Sequence, residues 1–238
     1  MQTVYVAGAT PLLTALAFAL AAAALGPSAT RWLPFERARL LGAMGAIASG
    51  VMLGAAYLIM ATSMQSWPGI TPLAAVITVP LIWFAHREMR RRPPESMVAR
   101  RMALLHGIPE GIALGTVIAS QAPLGVWLGA TVALHNIAEG ALFDARAGEA
   151  GEPMPSLARA SYLALIDKMP QAVFAVMAWL VVHVLPVASA ALYATAFAGL
   201  VYLVIAELLL EAYERIGRVG VALTVIAAGA VVAALGGR

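Results

Sequence analysis

Long apolar stretches separated by short polar breaks run the whole length of the chain. A helix needs roughly 20 apolar residues to cross the hydrocarbon of a bilayer. By that measure the pattern predicts eight spans, at 4–25, 40–61, 69–85, 102–119, 123–143, 160–183, 187–209 and 217–236. The expected fold is all-α, a single polytopic membrane domain over 1–238 built as an eight-helix transmembrane bundle. The longest loops, 86–101 and 144–159, are polar and too small to hold a separate domain. The first stretch lacks the basic start of a secretory leader, so it reads as a retained helix.

Composition strengthens this picture. Of the 238 residues 62% are hydrophobic and 11% charged, against about 25% charged in a soluble domain; too few charges remain to build a water-facing surface. The absence of cysteine excludes disulfides and any thiolate metal site. The formal charge of +3 is informative through its placement. Arg31, Arg37 and Arg39 fall between spans one and two, and Arg87, Arg90, Arg91, Arg92, Arg100 and Arg101 between three and four. Arg146 and Arg159 fall between five and six, and Arg215 and Arg218 between seven and eight. Only Lys168 and Arg238 of the 15 basic residues lie elsewhere, and the loops 62–68, 120–122 and 184–186 have none. Positive loops face the cytoplasm. The alternation therefore supports an even number of spans in the cell membrane, both termini extracytoplasmic, and reads as orientation in a lipid bilayer rather than as a nucleic-acid surface.

Against this background, polar residues inside the spans stand out. A charge at the centre of a membrane helix costs about 2.5–3.5 kcal/mol even on the lenient insertion scale. Glu110, Glu139, Asp167, Lys168 and Glu207 all fall within predicted spans, as do His106, His135 and Asn136. Span four reads His106-Gly107-Ile108-Pro109-Glu110-Gly111 and span five His135-Asn136-Ile137-Ala138-Glu139-Gly140: His, three residues, Glu, Gly, twice. Positions i and i+4 share a helix face, and consecutive spans joined by a short loop pack antiparallel. Two imidazoles and two carboxylates are thus expected to converge. Neutral imidazole with carboxylate suits zinc, iron or manganese, and two carboxylates balance the charge of a divalent ion. A proton relay or a hydrogen-bonded helix clamp would use the same residues. Pro109 removes a backbone hydrogen bond to residue 105 and sets either a kink at the site or a packing kink. The small residues Gly107, Gly111 and Gly115, and Gly42, Ala46, Gly50 and Gly54, form stripes that let helices approach closely.

The paired motifs resemble spans four and five of the ZIP (Zrt-, Irt-like) metal transporters. Ala48-Ser49-Gly50-Val51-Met52-Leu53 is similar to the span-two signature of the family's bacterial branch, and Tyr202 to Glu211 to its seventh span. The resemblance covers nearly the whole chain. It implies a binuclear centre, with His106, Glu110, His135 and Glu139 as inner ligands and Met52 as a soft outer contact. The second position would share Glu110 and Glu139 and add an Asn after the span-four His, a polar residue after the span-five His and a span-six carboxylate. Asn136 fits that pattern, but Gly107 stands where the Asn is usual. The span-six position aligns with Lys168, or with Asp167 on a shift of one. Loop 86–101 has His86 alone, where many members carry a His-rich stretch. The expectation is a mononuclear centre in which the Lys168 ammonium replaces the second metal; the alternative is that Lys168 snorkels or pairs only with Asp167. Glu207 is either a second-site or coupling residue or a helix-pairing group.

The resemblance further implies transport into the cytoplasm, a homodimer, and an elevator-like sliding of spans one, four, five and six against the rest. No catalytic residue and no resident cofactor are expected; the cargo is Zn2+, with Fe2+, Mn2+, Cd2+ or Co2+ suited to the same ligands. Two rival readings use the same groups. An intramembrane metal-dependent hydrolase would need three ligands, a water and a general base, and the chain lacks a His-Glu-x-x-His helix. A proton-coupled carrier of an organic solute would use Glu207 and Lys168 as its relay and bind no metal.

Overall fold

The computed structural model describes residues 2–32, 37–90, 97–120, 124–149 and 155–236. Among these the chain is helical, with no strand: α1 (Gln2–Trp32), α2 (Arg37–Ser66), α3 (Ile70–Arg90), α4 (Met97–Ala119), α5 (Leu124–Glu149), α6 (Leu157–Asp167), α7 (Met169–Val184), α8 (Ser189–Leu203) and α9 (Leu209–Gly236). Arg91, Arg92 and Arg238 lie outside the described residues. Five stretches among those described are long and apolar enough to cross a membrane: Ala9–Trp32, Arg39–Ser66, Ile70–Glu88, Leu157–Val184 and Pro186–Ala234. The all-α membrane-type architecture is as expected. Several helices overrun the predicted spans, α1 to Trp32 and α3 to Arg90, because hydropathy registers only the hydrocarbon slab while a helix can continue into the interface.

Three irregularities interrupt these helices. The predicted span 160–183 is two helices that meet at Lys168, whose φ of −88° and ψ of −1° lie in the bridge region. Pro170 in the first turn of α7 has no N–H to continue the helix, while Ser156 caps the start of α6 by accepting from Arg159 N at 3.2 Å. Between α8 and α9 the helix widens into a π turn over Val204–Leu208. Further on, α9 breaks at Gly217, with φ +73° and ψ 171°, a conformation open in practice to glycine alone.

Packing explains the glycine stripes. The most extensive helix pairs are α2 with α9, α1 with α5 and α4 with α7. A Cβ on Gly111 would fall 2.4 Å from Gln171 O, and one on Gly115 2.1 Å from Ala175 O, so α4 lies directly on the backbone of α7. Gly50 meets Val225 O of α9 in the same way, at 2.5 Å. We expect Gly115→Val to part α4 from α7 and cost about 3 kcal/mol or more, seen as a lowered thermal midpoint of the detergent-solubilised protein. Large apolar side chains such as Phe18, Leu81 and Ile226 point outward, whereas Glu110, His135, Asn136, Lys168 and Gln171 are buried. That inversion suits a helix bundle surrounded by lipid.

Candidate metal centre

The buried polar groups assemble around Glu110. His135 Nε2 donates to Glu110 Oε1 at 2.7 Å and lies 3.3 Å from Glu139 Oε1, one turn along its own helix. Potential ligand atoms of Glu110, His135 and Glu139 all lie within 4.8 Å of one another. The second carboxylate oxygens face the other way, toward Lys168: its Nζ donates to Glu110 Oε2 at 3.2 Å and to Glu139 Oε2. Lys168 is 3% exposed, so it does not snorkel. The break between α6 and α7 is what turns its backbone and lets the ammonium enter the bundle. With a neutral imidazole, two carboxylates and one ammonium leave a net charge of −1, the sign that attracts a cation.

His135 Nδ1 is buried without a hydrogen-bond partner. Beside Glu110 and His135 lies a cavity of about 20 Å³, room for roughly one water. Its other walls include Met52, Thr131 and Val51. Met52 is therefore next to the centre, where a thioether could act as a soft ligand.

Other expected ligands go elsewhere. His106 Nε2 lies 3.2 Å from Glu207 Oε2 and is not part of the Glu110–His135–Glu139 group. Asn136 Nδ2 donates to Ala19 O at 3.0 Å and to Gln171 Oε1 at 2.9 Å, so this amide ties α5 to α1 and α7. Asp167 is half-buried at the end of α6. Glu207 sits in the π turn between His106 and His86, whose Nε2 is 3.3 Å from Glu207 Oε1. Tyr202 OH and His86 Nδ1 are in hydrogen-bond contact at 3.1 Å. His86 was read as a loop residue, but it lies in the last turns of α3 and is 5% exposed. The signal that could have found it is the charge of Glu207 inside a predicted span, which requires a partner.

We expect Asn136→Ala to lower stability by about 1–3 kcal/mol while changing zinc affinity less than threefold. Melting curves and zinc titration of the same sample check both halves. Models of known protein families give no match to the chain, and no curated protein matches it.

Proposed function

We propose that the chain is a transporter of divalent transition-metal ions, zinc foremost, related to the ZIP transporters through its paired His-x3-Glu helices. The observation that carries this reading is that buried Glu110 and His135 and half-buried Glu139 lie at mutual ligand distance inside apolar helices. An ion there would take the lone pair of His135 Nε2, the ring proton moving to Nδ1, which has no hydrogen-bond partner, and each ligand would exchange for one of the ion's waters. Lys168 takes the role of a second ion. It keeps the carboxylates charged, and it lowers the charge an arriving cation meets from −2 to −1, which favours release.

The reading includes eight spans. α1 to α5 supply five, and α6 with α7 forms one broken span. Pro186–Ala234 covers 49 residues, about 70 Å of helix at 1.5 Å per residue against about 30 Å of hydrocarbon. Its break at Gly217 supports two spans there. The basic loops then lie on one side, with both termini extracytoplasmic in the plasma membrane and transport directed inward, in a homodimer.

A second reading, an intramembrane metal-dependent hydrolase, draws on the three candidate ligands, two of which, Glu110 and His135, line a water-sized cavity; three ligands and a water are the composition of a catalytic zinc site. Zinc flux into proteoliposomes separates the two. Transport predicts accumulation that saturates with zinc and is lost in Glu139→Ala. Tight zinc binding with no flux would favour the hydrolase, and no binding at all would reject both.

A further inference from the structure

His106 has two competing destinations. It stands one turn before Glu110 on α4, where imidazole and carboxylate at i and i+4 point the same way. Yet its Nε2 lies 3.2 Å from Glu207 Oε2. One Nε2 cannot serve both roles. As a partner of Glu207 it carries a proton; as a metal ligand it must present a lone pair.

Glu207 stands between two imidazoles. The π turn over Val204–Leu208 is an irregularity often found at functional sites. The other carboxylate oxygen faces buried His86, which Tyr202 holds through Nδ1. The α4 backbone beside His106 lies against α7, where a Cβ on Gly107 would fall 2.8 Å from Gln171 N. Pro109 removes the hydrogen bond to the carbonyl of residue 105. Pro109 also rests on α8 at a close contact: a Cβ on Gly199 would fall 2.5 Å from Pro109 Cβ. With this turn packed on α7 and α8, rotation of the His106 side chain, one turn before Glu110, is the motion that would bring its Nε2 to the centre while Glu110 stays with His135.

The geometry points to an exchange in which His106 leaves the shared Nε2 proton on Glu207 and becomes the fourth ligand, beside Glu110, His135 and Glu139, as a divalent ion is captured. Glu207 is then a positioning residue. It competes for His106 and so sets the affinity of a centre it does not touch. This rests on the metal-binding reading of the Glu110 cluster.

The test is zinc titration of the full-length, detergent-solubilised protein against a competing chelator. Wild type is compared with Glu207→Ala, Glu207→Gln, His106→Ala and the His106→Ala/Glu207→Ala double variant. Removing the competitor in Glu207→Ala should tighten binding about tenfold, the factor one hydrogen bond to a charged group carries. Glu207→Gln, whose amide oxygen still accepts from the imidazole, should tighten it less. His106→Ala should weaken binding, and Glu207→Ala should then add nothing. Weaker or unchanged affinity in Glu207→Ala overturns the exchange, as does a tightening that survives without His106. If Glu207→Ala does not fold, the direction of change in Glu207→Gln decides. Wild-type protein that binds no zinc would instead remove the metal reading, and the exchange with it.

Discussion

Replacing Lys168 by methionine is expected to turn a self-sufficient bundle into one that depends on a divalent ion to stay folded. Lys168 is buried between Glu110 and Glu139. Methionine fills a similar volume but leaves two carboxylates facing each other without a cation. Breaking a buried ion pair by removing one partner typically costs about 3–5 kcal/mol, a large share of a domain's stability. With chelator present, the thermal midpoint should fall steeply. With zinc it should recover, because the ion supplies the missing positive charge to the same oxygens. Zinc affinity should rise at least tenfold, since an arriving ion then meets a charge of −2. If Lys168 were only a packing residue, the midpoint would fall equally with and without zinc. The size of the zinc-dependent recovery is therefore the decisive quantity.

Glu110→Gln is expected to cause the largest loss of binding at modest cost to the fold. Glu110 is the more deeply buried of the two carboxylates that contact both His135 and Lys168, and it makes the shorter contact with His135, at 2.7 Å. The amide keeps its shape but removes a charged ligand, while Lys168 remains neutralised by Glu139. The cluster stays balanced without an ion and loses its attraction for one. Altering groups that merely orient metal ligands costs 10–100-fold, so loss of a charged ligand should cost roughly 100-fold or more. Zinc uptake by proteoliposomes should fall to background. Asn136→Ala, which removes an amide bonded to Ala19 and Gln171 rather than to the candidate ligands, is the control that should leave affinity nearly intact.

The helical bundle was readable because apolar runs of span length leave no other economical fold, and the centre because its charges have no surface to explain them. The repeated His-x3-Glu pattern led to Glu110, His135 and Glu139, which the structure brings together. Lys168 donates to both of those carboxylates, which is where an ammonium would have to stand to take the place of a second cation. The fate of His106 was not readable. Its helix face matches Glu110, but its partner Glu207 comes from a distant helix, through a π turn that has no sequence period. Asn136 was likewise placed by a tertiary contact, Gln171 of α7, that spacing within α5 does not encode. The break at Lys168 left a trace, the proline two residues later. Apolar continuity across 160–183 hid it.

The most direct test of the centre is anomalous X-ray diffraction at the zinc edge from zinc-soaked crystals. The account predicts one strong peak, about 2.0–2.2 Å from His135 Nε2 and from a carboxylate oxygen each of Glu110 and Glu139, with Lys168 Nζ still on the far side of the carboxylates. Two peaks of equal height bridged by Glu110 and Glu139, or no peak at these residues, would contradict it.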